Sequence, residues 1–472
     1  HLGANPSVTW TSRTRRNLEA GASKVRVMVD VATIRERAQA VLPSVTEDLV
    51  ELVAIPSVSS QPEHAPDMQA IAERVAHHLQ ELNCDRVKIV RAGGQPAVIA
   101  HFDVDPSKPT VCLYAHMDVQ PTGDPTHWSS DPFKAERRGD RLYGRGTADD
   151  KAGVAAHLAA LRAFDGKPPV NVIVLIEGEE EMGSPTLGRI LADNADDLAA
   201  DLYIVADCGN WGIGQPAFTT SLRGVVDCVV EVRTLSHAIH SGEFGGVVPD
   251  ALTTLCRLLA TLHDENGDVA VKGLVSSEDT TVEQTAESVR ADSAVLDSVQ
   301  LIGSGPIAAR TWLKPAISVI GLDTTPIAAS SNTLIPVAKA RISLRIAPGD
   351  TGVNALECLH KHLEAKVEWG AQLVITDGEA AEPCRTPLPD DLEEKANWAW
   401  REAFGVDPMQ IGTGGTIGMI AEFQTTFPRA GVLATAVSDP DCRMHGIDES
   451  LYVPDWEAVC LAEALLLAAL AE

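Results

Sequence analysis

Short, continuously apolar segments alternate with helical segments through the first half of the chain. Residues 111–115, 172–176 and 202–206 are apolar without any two-residue alternation, whereas 153–164 and 187–194 have the composition and spacing of helices. A strand that is apolar on both faces must be covered on both sides, which is typical of parallel sheets between two helical layers. The sequence therefore predicts an α/β fold built on a mainly parallel sheet.

The pattern changes after about residue 222. The predicted elements then follow the order β-α-insert-β-β-α-β, which is that of a ferredoxin-like α+β sandwich. Helix and strand alternation resumes after residue 380. We therefore expect a main domain formed by 28–221 and 381–472, interrupted by an inserted domain over 222–380. We interpret 1–27 as an extension or a segment added for expression, and 472 residues are too many for one core.

Composition limits the possible partners and compartments. The chain has 38 Lys and Arg against 66 Asp and Glu, a net charge of -28, which disfavours a nucleic-acid partner. No apolar stretch reaches the roughly 20 residues of a membrane helix. The nine cysteines form no CxxC pair, and we expect reduced thiols in a cytoplasmic protein. Three of them, Cys112, Cys228 and Cys256, lie in apolar segments and are predicted to be in the core.

Side chains that bind metals follow four of the predicted apolar strands. They are His116, Glu177 with Glu179–Glu181, Asp207 and His445, and Asp149 and Asp150 lie in the loop between the first two groups. Sites in open α/β sheets form at the carboxyl ends of strands. Two histidines suit zinc or manganese, and the carboxylates are too numerous for one tetrahedral ion. The pattern predicts a two-metal site with one bridging carboxylate.

Each of these residues also has an ordinary structural interpretation. A single histidine is more often structural than a ligand, and an acidic run such as Glu179–Glu181 is usually a solvated loop. Asp149 and Asp150 are also suitable caps for the helix that follows them. It is the repetition at successive strand ends that favours a metal site.

Six segments resemble, in order, the motifs of the M20 family of di-metal peptidases, most closely its carnosinase-type dipeptidases. They are "AHMDVQP", "LYGRGTADDKAG", "GEEEMGSP", "VADCGNW", "HSGEFGG" and "MHG", and the resemblance spans about residues 45–465. It implies a di-metal catalytic domain with an inserted lid and dimerisation domain. Ala152 departs from the family pattern, which has glycine there.

The resemblance also implies roles for individual residues. His116 and Asp207 would bind one metal, Glu181 and His445 the other, and Asp149 would bridge both, with a cis peptide bond after it. Asp118 would orient His116, and Glu180 would act as the general base. His240 would stabilise the oxyanion, in many relatives from the partner subunit of a homodimer, although His237 is a nearby alternative.

The resemblance further implies a site for the carboxylate of a peptide substrate. Arg345 is the best candidate because its planar guanidinium suits a carboxylate, and Arg341, on the same face of the predicted strand, is its rival. Asn332 or Thr333 and the loop of Gly414, Gly415 and Thr416 would add hydrogen-bond donors.

These observations predict a cytoplasmic, homodimeric dipeptidase with two zinc or manganese ions, acting on small peptides. An N-acyl-amino-acid deacylase of the same family is the main alternative. A catalytically silent binding protein is disfavoured because Glu180 and Asp149 are both present. A nucleotide-binding enzyme, suggested by "GTGGT", is disfavoured because the chain has no GxxxxGK[ST] loop.

Overall fold

The computed structural model describes residues 29–280, 282–415 and 418–472. The expected extension over 1–27 and the candidate Thr416 therefore lie outside the described residues. The strands are β1 (Arg86–Val90), β2 (Ala97–Phe102), β3 (Thr110–His116), β4 (Glu136–Arg138), β5 (Arg141–Tyr143), β6 (Asn171–Glu177), β7 (Leu202–Gly209), β8 (Ala217–Leu222), β9 (Gly224–Arg233), β10 (Ile239–His240), β11 (Ala316–Asp323), β12 (Thr333–Leu334), β13 (Val337–Ile346), β14 (Gln372–Ala381), β15 (Cys384–Arg385), β16 (Met409–Thr413), β17 (Gly431–Ser438) and β18 (Ser450–Tyr452).

The helices cover both sheets. They are α1 (Val31–Val53), α2 (Ala65–Glu81), α3 (Lys151–Ala163), α4 (Leu187–Asp193), α5 (Ala195–Leu198), α6 (Ser241–Phe244), α7 (Ala251–Ala260), α8 (Ala286–Ser293), α9 (Ile307–Trp312), α10 (Gly352–Lys366), α11 (Asp390–Phe404), α12 (Gly418–Thr426) and α13 (Val453–Leu470). None of the helices in the described part of the chain has the length and hydropathy needed to cross a bilayer.

The main sheet has nine strands, in the order β1-β2-β6-β3-β7-β17-β8-β15, with β16 paired to β8. The four central strands β6, β3, β7 and β17 are parallel to one another, and antiparallel strands flank them. One face packs on α2, α3, α11 and α13, and the other on α4 and α12. The apolar strands are therefore covered on both sides, and the predicted mainly parallel α/β sheet is confirmed.

The second sheet is antiparallel, in the order β11-β13-β9-β14, and α7 and α10 pack on one face of it. Its strands alternate between buried and more exposed residues, as expected for a sheet with only one covered face. The chain enters this sheet directly from β8 and leaves it at β14. The domain boundaries at about 222 and 380 stay a prediction.

One prediction about the core is wrong. Cys112 and Cys228 are buried, but Cys256 is exposed. Cys256 lies on α7, whose buried residues include Leu255 and Leu258. An apolar run on a helix does not bury every member, because only one stripe of the helix faces the sheet.

Candidate metal centre

His116 is the last residue of β3 and is entirely buried. Its Nε2 lies 3.0 Å from Asp149 Oδ1, 3.6 Å from Asp207 Oδ1 and 4.0 Å from Glu180 Oε2. These carboxylates come from three different segments of the chain. Neighbouring parallel strands end at the same edge of the sheet, as the register of His116 opposite Glu177 shows. Convergence on one nitrogen follows from that topology.

His445 approaches the same group from the C-terminal part of the chain. Its Nε2 lies 3.0 Å from Asp149 Oδ2 and 3.0 Å from Glu181 Oε2. The backbone of His445 is left-handed, with φ of 60°, and its side chain is 57% exposed. Asp149 thus contacts one histidine through each of its carboxylate oxygens.

Asp118 links the two halves of this group. The Nδ1 of His116 lies 3.0 Å from the backbone oxygen of Asp118 and 3.4 Å from its Oδ1. The other carboxylate oxygen, Oδ2, accepts a hydrogen bond of 3.2 Å from the backbone N–H of Glu181. The carbonyl of Asp118 is therefore the nearer partner of the imidazole, whereas its carboxylate also fixes the turn that carries Glu181.

The remaining acidic residues of the region have structural partners. Asp150 caps α3 through Gly153 and accepts a hydrogen bond from the N–H of His116. Glu177 accepts a hydrogen bond of 2.6 Å from the Tyr114 hydroxyl. Glu179 accepts from the backbone of Gln95 and from Thr186. The capping interpretation therefore holds for Asp150, and only Glu180 and Glu181 of the acidic run face the histidines.

The strand predictions need two adjustments. Asp207 lies inside β7, which continues to Gly209, rather than after its end. Glu180 and Glu181 lie on a 3₁₀ turn, Glu180–Met182, three residues beyond β6. The peptide bond between Asp149 and Asp150 is cis, as the resemblance implied.

Glu449 organises the loop that presents Asp149, and it was missed in the sequence. It is fully buried and accepts hydrogen bonds from the Arg145 guanidinium and from the backbone N–H groups of Gly146, Ala148 and Asp149, at 2.7–3.1 Å. Its position four residues after His445 was the only signal. No regular spacing connects it to the loop that it holds.

Burial and mutual repulsion shift the carboxyl groups strongly. Burial, and then the charge of Asp207, raises the pKa of Glu180 to about 9, and burial raises the pKa of Asp207 to about 6. Hydrogen bonds to Asp149 and Glu181 raise the pKa of His445 to about 10. Negative charge thus exceeds what the two histidines compensate, and cations bound beside these groups would reverse the shifts of the carboxyls.

The described residues contain two groups whose ligand atoms lie within 4.8 Å of one another. One comprises His116, Glu180 and Asp207, and the other His116, Asp149 and Glu181. Histidine nitrogens and carboxylate oxygens at these separations fit borderline divalent ions. The donor set therefore fits more than one ion, with Asp149 between the two histidines.

His240 lies on the inserted segment, away from these carboxylates. It pairs with Thr333 across β10 and β12, and the carbonyl of Asn332 accepts a hydrogen bond from Ser241. Its Nδ1 accepts a 3.0 Å hydrogen bond from the N–H of Gly242, so the proton of the neutral ring is on Nε2. Among the described residues, no hydrogen bond or ion pair joins His240 to the metal-centre carboxylates.

The candidate carboxylate-binding residues are divided by the structure. Arg341 is exposed and pairs with Asp227 at 3.1 Å. Arg345, two turns of the pleat further along β13, lies close enough to Arg223 to lower its pKa. The carbonyl of Gly414 accepts a 3.3 Å hydrogen bond from Arg223, and the N–H of Gly415 donates to Thr413. Arg345 and Gly414 thus lie at one junction, whereas the Arg341 charge is already compensated.

Two histidines and several carboxylates at the carboxyl edge of a largely parallel sheet define a metal-dependent hydrolase. The model of Peptidase family M20/M25/M40 matches residues 112–471, and the chain belongs to this family.

Relatives of known activity match most of the chain. The Cysteinylglycine-S-conjugate dipeptidase of Corynebacterium striatum is 33% identical over 429 residues, which cover 89% of this chain and 93% of the relative. The Beta-Ala-His dipeptidase of Homo sapiens is 31% identical over 425 residues, covering 82% of each. The structure of human carnosine dipeptidase 1 superposes with a TM-score of 0.74 at 25% identity, covering 93% of this chain and 98% of that one. Dug1p from Saccharomyces cerevisiae, at 22% identity, covers 94% and 98% with a TM-score of 0.75 and shows the fold alone.

Proposed function

We propose that the protein is a dipeptidase that uses two divalent ions, zinc or manganese, to hydrolyse the amide bond of small peptides. The observation that carries the proposal is the position of Asp149, whose two oxygens each lie 3.0 Å from a different histidine. A carboxylate that faces two histidines is suited to bridge two ions. His116 and Asp207 would hold one ion, Glu181 and His445 the other. The relatives that carry dipeptidase names support the substrate class.

Divalent ions bound here would polarise the scissile carbonyl and lower the pKa of water in the site. Glu180 would take a proton from the attacking water as the new C–O bond forms. It would then deliver that proton to the amine nitrogen as the C–N bond breaks, so that the carboxylate is regenerated. The position of Glu180 Oε2, 4.0 Å from His116 Nε2, supports this role because it lies beside the ligands.

The substrate's carboxylate would bind at Arg345 with Gly414 and Gly415, and Thr416 is proposed from the sequence alone. His240 would donate its Nε2 proton to the oxyanion, with Asn332 and Thr333 beside it. The tautomer supports this role, because the Gly242 N–H occupies Nδ1 and leaves Nε2 as the donor. Donors of this kind act where negative charge develops.

We also propose a homodimer formed through the inserted domain, in which His240 serves the partner's site. The edge strand β11 supports this arrangement, because Val319, Ile320 and Leu322 are 46–60% exposed along it. An exposed apolar edge strand is a pairing surface that proteins usually cover. A cytoplasmic location is consistent with nine free cysteines.

The test is a substrate panel with metal-free protein reconstituted with zinc or with manganese. Dipeptides should be hydrolysed at rates well above those of N-acyl amino acids of the same C-terminal residue. Faster cleavage of the N-acyl amino acids would replace the dipeptidase with the deacylase alternative. Full activity without either metal would overturn the proposed chemistry.

A further inference from the structure

Arg223 occupies the single position between β8 of the main sheet and β9 of the inserted sheet. Its Nε donates to the carbonyl of Gly414 at 3.3 Å, and its Nη1 to the carbonyls of Arg310 and Lys314 at 3.4 and 3.3 Å. The first carbonyl belongs to the glycine loop after β16, and the other two lie at the end of α9 and just beyond it. One side chain therefore joins three separate segments where the two sheets meet.

The glycine loop lies so close to Arg223 that it leaves no room for a side chain. A Cβ added to Gly414 would lie 2.7 Å from Arg223 Nη2 and 2.9 Å from the carbonyl oxygen of Thr311, on α9. The neighbouring Gly412 is packed in the same way, since its Cβ would meet Trp312 at 2.7 Å. The position of this loop thus depends on the arginine and on α9.

Arg223 also lies beside Arg345. Arg345 pairs with Val225 across β13 and β9, two residues from Arg223 along the chain. Burial first, and then the charge of Arg345, lowers the pKa of Arg223 to about 10. The three carbonyl groups carry no net charge, so these bonds do not neutralise the guanidinium. A carboxylate bound at Arg345 would be attracted by both arginines and would relieve their mutual repulsion.

We propose that Arg223 is a positioning residue for the carboxylate of the substrate. It holds the glycine loop beside Arg345 and adds a second positive charge to that subsite. The inference rests on the proposed dipeptidase function and deepens it, because it makes a free C-terminal carboxylate the group that the domain junction selects.

The experiment compares Arg223→Gln and Arg223→Lys with the wild type on an alanyl dipeptide and on its C-terminal amide. With Gln, KM for the dipeptide should rise about tenfold or more, the effect of losing a charged hydrogen-bonding partner. Its kcat should stay within about threefold, because no group at the reacting bond changes. Kinetics on the amide should not change. Lys should recover part of the affinity, since it keeps the charge and loses the planar fork.

Arg257→Gln is the matched control. Arg257 lies on the inserted segment, pairs with Glu368 and stacks on Trp369, far from the glycine loop in the chain. It should leave both substrates unaffected. Gly414→Ala provides a second variant that disturbs the same contact from the loop side, and it should raise KM selectively for the free acid if Arg223→Gln fails to fold.

Equal losses on the dipeptide and its amide, or an unchanged KM in folded Arg223→Gln, would overturn the inference while leaving the dipeptidase function intact. A wild-type protein that cleaves neither substrate with either metal would instead overturn the proposed function. The wild-type measurement thus separates the two failures.

Discussion

Asp149 presents one carboxylate oxygen to His116 and the other to His445, each at 3.0 Å. The two histidines are contributed by distant parts of the chain, and the side chain between them is almost completely buried. Their hydrogen bonds outweigh burial and hold the pKa of Asp149 below its usual range. The carboxylate is therefore ionised in any pH range where the protein would be studied, and it is prepared to face two cations.

Asp149→Ala should remove metal as well as activity, because it deletes the side chain shared by both halves of the site. We expect the purified wild type to hold two divalent ions per chain and to lose activity to a chelator. Metal analysis by mass spectrometry checks both statements. The control Asp105→Ala removes an exposed loop carboxylate that binds only Ser107. An Asp149→Ala protein with a full metal complement would contradict the bridging role.

Glu180→Gln should keep the fold and most of the metal but lose turnover by roughly a hundredfold to ten-thousandfold, the usual cost of removing a general base. The amide is nearly isosteric with the carboxylate and cannot accept the proton. Steady-state kinetics together with metal content provide the measurement. Glu136→Gln, on the exposed β4, is the matched control. A near-normal kcat would rule out Glu180 as the base.

His240→Ala should lower kcat by roughly a hundredfold, which is typical of losing one oxyanion donor, while metal content stays unchanged. His237→Ala, three residues earlier and bonded to Ser236, is the control. In a homodimer, mixing inactive His240→Ala with inactive Glu180→Gln should create one intact site per heterodimer and restore up to about half the activity. Verified heterodimers without recovery would place the histidine in its own subunit's site or outside catalysis.

Glu449→Gln should weaken metal binding by about 10- to 100-fold, the usual effect of altering a group that orients ligands. The change leaves the buried Arg145 guanidinium without its carboxylate, and breaking a buried pair costs about 3–5 kcal/mol. Chemical denaturation and metal titration measure the two effects. A variant with wild-type affinity and stability would show that the loop holds its shape without Glu449.

The buried pair of His157 and Glu463, 2.8 Å apart, should make stability depend on pH. Burial alone would lower the pKa of His157, but the Glu463 carboxylate, with a further bond to the Tyr114 carbonyl, raises it above 6.5. A histidine with a raised folded pKa stabilises the fold when protonated, fully below the unfolded pKa and less as pH rises through the folded pKa. The stability gap between wild type and His157→Gln should therefore be largest in acid and shrink toward alkaline pH. Urea unfolding across pH measures it, and a gap that widens with pH would contradict this.

The sequence predicted the parts of the site that depend on strand ends. His116 and Asp207 follow or end continuous apolar segments, and parallel strands bring such residues to one edge. Glu449 and Arg223 could not be predicted in this way. Both act through hydrogen bonds to the backbone of segments far away in the chain, and neither local periodicity nor composition encodes such a partner.

The inserted region was predicted less completely. Its strands alternate clearly, so their order was recovered, but 268–314 showed few signals and the structure places α8 and α9 there. These helices have eight and six residues, too few turns for a strong amphipathic pattern. Cys256 was misassigned for the related reason that an apolar run does not reveal which side of a helix is buried.

Asp149 and Glu449 are hydrogen-bonded although 300 residues separate them in the chain. During synthesis at about 5–20 residues per second, the loop carrying Asp149 would wait roughly 15–60 s for its carboxylate partner. The inserted sheet, whose strands all fall within that interval, has time to fold first. Closure of such a long loop slows the last step of folding, so hydrolytic activity should appear only after the C-terminal segment has docked. A nascent or truncated chain would then be unable to cleave peptides around it.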